Sequence, residues 1–201
     1  MNPDNTHSHH PNTIFLDRDG VMNEKMPEGR FVTSWREFHV LPGVAEALRK
    51  LNQAGLRVLV VSNQRGIALG LYSVETVRAI HREFQQFLKS FGARVDGFYF
   101  CPHDEAQCNC RKPLPGLYDQ AVADFPDIRP ETCAIFGDSL SDIEFGRRLG
   151  MNTIFLEGDA SRQKPGANAA RELADRRFSS LPEAVDSMLE EWSAHGARKV
   201  T

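Results

Sequence analysis

The sequence predicts an α/β fold, a doubly wound, Rossmann-like parallel sheet with helices on both faces. Three observations carry this expectation. Short apolar runs, aliphatic, β-branched or aromatic, recur at 13–16, 57–61, 97–100, 133–136 and 153–156. The segments between them place apolar residues at helical spacing. Each strand-to-strand connection is a dozen residues or more, the length that a parallel crossover requires.

Residues 1–12 are polar and His-rich (His7, His9, His10) and are expected to form a mobile N-terminal tail. A single domain is expected over 13–192, with 193–201 as a C-terminal tail. The run 13–16 is the first strand, ending at Asp17. Residues 29–40 carry Trp35 and Phe38 without a clear period and read as a loop or small hairpin. Val44, Ala47, Leu48 and Leu51 mark a helix stopped by Gly55. After the strand 57–61, Ser73 is a candidate N-cap for a long helix whose apolar stripe runs from Val74 to Phe91. A third strand at 97–100 precedes the cysteine cluster and a helix over 116–125. A fourth at 133–136 leads to a helix over 142–149 closed by Gly150, and a fifth spans 153–156. Residues 157–169 are polar and read as a loop. An edge strand at 177–180 and a helix over 182–192 complete the chain.

Composition excludes several classes. With 24 basic against 27 acidic residues the net charge is −3, so no global field draws in nucleic acid or an anionic membrane. The aliphatic runs are far shorter than the about 18 residues that span a bilayer, and the N-terminus has no apolar core of a secretory signal. A cytoplasmic, monomeric protein with neither nucleic-acid nor membrane partners is expected. Cys101, Cys108 and Cys110 crowd into one short segment while Cys133 stands on an apolar strand. In a reducing compartment that cluster reads as metal ligands rather than disulfides, and Cys133 as core.

In sheets of this kind ligands bind beyond the carboxyl ends of the strands. Those positions here are Asp17-Arg18-Asp19-Gly20, Ser62-Asn63-Gln64, the cysteine cluster with Arg111-Lys112, and Gly137-Asp138. Asp17 and Asp19 lie two apart, so in extended backbone they share a side. Crowded carboxylates are costly unless a cation neutralises them or one holds a proton. With Asp138 as a further oxygen donor the set suits Mg²⁺, and Asp is a competent nucleophile in phosphoryl transfer. Taken alone, D-R-D-G is equally a strand-ending turn, and Ser62 or Asn63 equally a helix cap. Ser62 and Asn63 are suitable donors to phosphoryl oxygens, Lys112 supplies a point charge and Arg111 a planar fork.

Together the four strand ends resemble the haloacid dehalogenase superfamily of phosphatases. Its motifs occur in order as Phe15-Leu-Asp-Arg-Asp-Gly20, Val60-Val-Ser-Asn63, Arg111-Lys-Pro113 and Phe136-Gly-Asp-Ser-Leu-Ser-Asp142. The D-R-D-G-x-x-N and S-N-Q segments and C-P-H…C-x-C-R-K-P are similar to two branches, the heptose-bisphosphate phosphatases and the histidinol phosphatases. The resemblance implies that Asp17 attacks phosphorus to give an aspartyl-phosphate. Asp19 would protonate the leaving oxygen and then activate water, a role needing a raised pKa that leaving-group contact would supply. Mg²⁺ would be held by Asp17, the backbone carbonyl of Asp19, and Asp138. Ser62 and Lys112 would stabilise the transferring group, with Asp142 supporting Lys112 or a metal-bound water. Asn23, Asn63, Gln64, Arg65 and Arg111 are candidate substrate contacts.

Cys101, His103, Cys108 and Cys110 make a full tetrahedral ligand set for a structural Zn²⁺, with the zinc loop at 101–110. Leu69 stands where the heptose enzymes place an arginine, and Arg65 where they carry a small residue. Helices use up the spacing between motifs, so no cap domain is expected. The reading is a Mg²⁺-dependent phosphatase of a small phosphorylated metabolite, such as D-glycero-D-manno-heptose 1,7-bisphosphate. The alternatives are a histidinol-phosphate phosphatase, a nucleic-acid 3′-phosphatase, a non-catalytic metabolite-binding protein on the same fold, and a zinc-centred interaction module.

Overall fold

Side-chain alternation along the first strand decides what each face of the sheet must bury: Ile14 and Leu16 go one way and Phe15 the other, all fully inaccessible. The computed structural model describes residues 10–163 and 165–197. Its strands are β1 (Thr13–Leu16), β2 (Arg57–Asn63), β3 (Gly97–Cys101), β4 (Cys133–Gly137), β5 (Asn152–Leu156) and β6 (Arg176–Phe178). They form one sheet in the order β3-β2-β1-β4-β5-β6, every neighbouring pair parallel. Among the described residues six helices flank it: α1 (Val44–Gln53), α2 (Val74–Lys89), α3 (Gly116–Asp124), α4 (Leu140–Leu149), α5 (Ala167–Leu173) and α6 (Leu181–Ala197).

One face buries Ile14, Leu16, Val60 and Phe136 under Leu48 of α1, Phe84 of α2 and Val185 of α6. The other buries Phe15, Val61 and Ile135 under Leu117 of α3 and Phe145 of α4, and Phe155 under Ile143 of α4 and Ala170 of α5. Each such large side chain removed from water contributes about 1.5–3 kcal/mol. The strand order reverses beside β1: its neighbours are β2 and β4, reached by crossovers of opposite direction along the sheet. A crevice therefore opens past the ends of β1 and β4, and the backbone N–H of Asp17 extends the ladder there, donating to the Phe136 carbonyl at 3.0 Å.

Several boundaries differ from expectation. The segment read as a loop over 157–169 contains a 3-10 turn, Ala160–Arg162, and the start of α5. That helix is short and its buried side chains are only Ala167 and Ala170, so it left no large apolar stripe to read. Gly166 opens it at φ +92° against the Leu140 side chain. The stripe of α2 stops at Lys89; Phe91 lies past the end, exposed but in ring contact with Phe87. Helix α4 begins at Leu140 because Ser139 and Asp142 close a capping box. The loop with Trp35 and Phe38 holds a 3-10 turn, Trp35–Glu37, and one antiparallel bridge from Val40 to Asn23. The last strand begins one residue and ends two residues earlier than expected, and α6 continues to Ala197, into the expected C-terminal tail. Of the expected N-terminal tail, His7 and His9 lie outside the described residues. His10 packs its ring 5.8 Å from that of Trp192, and Pro11 is buried.

Candidate active site

The end of β1 turns sharply, and glycine permits it. Gly20 sits at φ +98°, and a Cβ there would stand 2.1 Å from Asp138 Oδ2, so the loop after β1 closes directly onto the carboxylate after β4. Asp17 and Asp138 thereby meet across the crevice, joined by Asp142 from the first turn of α4. Carboxylate oxygens of the three lie within 4.8 Å of one another, and all three residues are buried. Gly137 makes the last approach possible, since a Cβ on it would lie 2.1 Å from Asp142 Cβ.

Lys112 enters this acidic cluster from the far side. Its ammonium donates to Asp17 Oδ1 at 2.8 Å, to Asp142 Oδ1 at 2.5 Å and to the Val61 carbonyl at 2.6 Å. Burial alone would lower its pKa, but the paired carboxylates of Asp142 and Asp17 hold it well above the usual lysine range. Asp142 uses its other oxygen to accept from Ser139 N–H and Oγ. Asn63 fastens the loop that carries Lys112: its amide donates to the Lys112 carbonyl and accepts from the Lys112 N–H, both at 3.0 Å.

Asp138 differs. Burial raises its carboxyl to about 6 despite the ammonium of Lys25 on Oδ2. Its Oδ1 is buried without a hydrogen-bond partner. An orphaned buried carboxylate oxygen, in an all-oxygen donor set with Asp17 and Asp142, fits a hard divalent cation. Lys25 supplies part of the positive charge that this set demands.

Asp19 was expected to reach the metal through its backbone carbonyl, and its carboxylate lies outside that group of three. It is the more open group, 28 % accessible against 10 % for Asp17, and it faces a ring of donors instead. Arg18 contributes Nε and Nη2 at 2.9–3.1 Å, Asn23 Nδ2 reaches Oδ1 at 3.0 Å, and Gln64 Nε2 reaches Oδ2 at 3.0 Å. Burial works to raise the Asp19 pKa, but the Arg18 charge and these hydrogen bonds win and hold it below the ordinary carboxylate value. A magnesium contact from Asp19 would thus have to come from its backbone carbonyl.

The candidate substrate contacts divide. Asn23, fully buried, and Gln64, nearly so, serve Asp19. Asn63 serves Lys112. Arg65 is spent on Asp104 of the cysteine loop at 2.6 Å. Arg111 keeps a buried guanidinium nitrogen, Nη1, with no partner, as does Arg18 beside Asp19. Ser62 is buried and accepts from Gln64 Nε2 at 2.7 Å. A cavity of about 220 Å³ opens beside Gly20, Lys25 and Asp138, bounded by Glu157, Asp159 and Arg162. Arg18, Lys25 and Tyr72 are the residues that strand-end reasoning passed over. Only Arg18 left a signal, a charge set between two acids at the end of an apolar strand.

The cysteine cluster closes as the spacing anticipated. Cys101 Sγ lies 3.4 Å from Cys108 Sγ and 3.8 Å from His103 Nδ1, and Cys110 Sγ lies 3.3 Å from both Cys108 Sγ and His103 Nδ1. These are far beyond the ~2.05 Å of a disulfide, and all four cysteines are free thiols. They are close to the edges of a tetrahedron around an ion with bonds of about 2.0–2.3 Å. Cys101 ends β3 and Cys110 stands two residues before Lys112, so the cluster ties the edge of the sheet to the lysine at its centre. Cys133 is fully buried core.

Comparison with known proteins places this geometry. The sequence profile of the haloacid dehalogenase-like hydrolases matches residues 9–150. A D-glycero-alpha-D-manno-heptose-1,7-bisphosphate 7-phosphatase of Mycobacterium tuberculosis is 42% identical over 169 residues, 84% of this chain and 86% of that protein. The corresponding beta-heptose enzyme of Rhodopseudomonas palustris is 36% identical over 72% of this chain and 83% of its own length. The crystal structure of D,D-heptose 1,7-bisphosphate phosphatase from B. bronchiseptica, complexed with magnesium and phosphate, superposes with a TM-score of 0.78 at 31% identity, covering 90% of this chain and 99% of that one. With the order of its strands, the four motifs at their ends and these relatives in agreement, the chain belongs to the haloacid dehalogenase-like hydrolases.

Proposed function

We propose that the protein is a Mg²⁺-dependent phosphatase that removes the 7-phosphate of D-glycero-D-manno-heptose 1,7-bisphosphate through an aspartyl-phosphate on Asp17. The observation that carries this reading is the meeting of Asp17, Asp138, Asp142 and Lys112 at the point where the strand order reverses. Asp17, Asp138 and the backbone carbonyl of Asp19 would hold the magnesium ion, which when bound offsets the charge of carboxylates and phosphate and polarises a phosphoryl oxygen.

Asp17 attacks phosphorus, and the bond from phosphorus to the sugar oxygen breaks. Asp19 delivers a proton to that oxygen. In the free site Asp19 is held ionised by Arg18; the dianionic phosphoryl group arriving beside it raises its proton affinity, since like charges disfavour ionisation. The resulting carboxylate then takes a proton from the water that attacks the aspartyl-phosphate, and inorganic phosphate leaves with Asp17 restored. Lys112 and Ser62 supply positive charge and a hydroxyl to the phosphoryl oxygens, the positioning and electrostatic work that dominates this chemistry. Arg111, with its unpartnered Nη1, is the substrate contact best placed for a second anionic group.

Cys101, His103, Cys108 and Cys110 would bind a structural Zn²⁺, leaving no open position for chemistry. Four free thiols fit a reducing, cytoplasmic setting, and among the described residues no helix is long and apolar enough to cross a membrane. The 42% relative, named for the alpha anomer, supports that anomer as the better substrate. The test is phosphate release from both anomers and from histidinol phosphate, with and without Mg²⁺, beside Asp17→Asn. Release from the bisphosphate that needs Mg²⁺ and vanishes in Asp17→Asn is expected, with the 1-phosphate left intact by phosphorus NMR. Turnover retained in Asp17→Asn, or a preference for histidinol phosphate, would overturn the reading.

A further inference from the structure

The loop between β2 and α2 reaches back into the site through one tyrosine. Tyr72 OH donates to Gln64 Oε1 at 2.9 Å. The amide nitrogen of Gln64 then donates twice, to Asp19 Oδ2 and to Ser62 Oγ. Both of its hydrogens are used, and its oxygen has its donor. Gln64 is 2 % exposed, so an amide that lost the tyrosine would keep a buried acceptor without a partner. Two further features hold the ring in place. A Cβ on Gly66 would lie 2.1 Å from Tyr72 Cε1, so only glycine lets the ring lie down on its own loop. Phe31 packs on it from the loop after β1, ring centroids 6.0 Å apart.

We propose that Tyr72 is a positioning residue for the leaving-group proton transfer: it fixes the Gln64 amide, which in turn aims the Asp19 carboxyl and the Ser62 hydroxyl at the phosphomonoester. This rests on the phosphatase reading above. Accepting from Gln64 leaves the Ser62 hydroxyl hydrogen for a phosphoryl oxygen. Binding Asp19 through Oδ2 sets the direction in which that carboxyl presents its proton. In the step itself the bond from phosphorus to the ester oxygen breaks, the Asp17 oxygen takes phosphorus, and the Asp19 proton goes to the departing alkoxide. Tyr72 touches none of the reacting atoms.

Leaving-group chemistry gives a readout that simple structural damage does not move. An alkyl phosphate must have its leaving oxygen protonated, whereas p-nitrophenyl phosphate departs as a stable phenolate. The ratio kcat/KM covers phosphoryl transfer and omits the later hydrolysis of the aspartyl-phosphate. Tyr72→Phe is expected to lower kcat/KM on the sugar bisphosphate about tenfold and on p-nitrophenyl phosphate less than about twofold. Gln64→Ala should show the same selectivity, larger, and Asp19→Asn the largest. Because Tyr72 acts through Gln64, the Tyr72→Phe/Gln64→Ala double variant should match Gln64→Ala alone. An equal loss on both substrates, additive effects, or an unaffected Tyr72→Phe would overturn the inference while leaving the phosphatase reading in place. A wild-type protein that hydrolyses neither ester would overturn both.

Discussion

Replacing Lys112 by methionine separates the two jobs of one ammonium group. The side chain is 1 % exposed and lies between Asp17 and Asp142, themselves 10 % and 1 % exposed. Methionine keeps the length and apolar stem but strands two carboxylates whose counter-ion is gone. Breaking a buried pair from one side costs about 3–5 kcal/mol, a large part of the about 5–15 kcal/mol that holds a domain together. With a urea dependence of about 2 kcal/mol/M, the unfolding midpoint should fall by roughly 2 M. Melts are run with EDTA so that no divalent ion substitutes for the lysine. Phosphate release with Mg²⁺ restored should fall about 10²–10³-fold, the size of one lost donor to developing phosphoryl charge. Adding Asp142→Asn removes one stranded charge and keeps an acceptor for Ser139, so about 1–3 kcal/mol should return while activity does not. A Lys112→Met midpoint within about 0.5 M of wild type, or a double variant no firmer than the single one, would refute the account of the buried triad.

Lys25→Met should tighten Mg²⁺ binding about five- to tenfold by calorimetry, about 1–1.4 kcal/mol, because the ammonium on Asp138 Oδ2 neutralises and repels across the same carboxylate that would offer Oδ1 to the ion; weaker binding would show that Lys25 supports the ion instead. Asp138 has a folded-state pKa raised to about 6, so its proton competes with the metal below that pH. Mg²⁺ affinity should be full at pH 7.5 and about fourfold lower at pH 5.5 from this group alone, and an affinity flat across that range would contradict its ligand role. Without metal the sign for stability is the opposite: folding raises the Asp138 pKa, so its contribution improves as pH falls from about 6 towards the unfolded value near 4. Cys110→Ser should abolish bound zinc by atomic absorption, lower Tm and weaken hydrolysis through Lys112. Wild-type zinc content in that variant would refute the ligand set.

The sheet was legible because β1, β2 and β4 are aliphatic enough to announce themselves, and strand ends in a parallel sheet direct attention to Asp17, Ser62, Lys112 and Asp138 without coordinates. The cysteine spacing likewise anticipated its cluster. Three things were not legible. Helix α5 buries only alanines, which carry no periodic signal. The network around Asp19 depends on Arg18 folding back on its neighbour and on Tyr72 returning eight residues to Gln64, contacts set by loop geometry. Arg65, Asn63 and Asn23 have the chemistry of ligand contacts but are consumed by Asp104, the Lys112 backbone and Asp19. A side chain's capacity to bind a phosphate does not say whether the protein has already engaged it.

The paired amide of Asn63 has a practical corollary. It stitches the segment after β2 to the segment after β3 through two backbone bonds of a single residue, so the two rims move as one piece. Attempts to retarget the enzyme by transplanting either rim from a relative would shift the lysine along with it. Both rims would have to be exchanged together, with Asn63 retained as the seam.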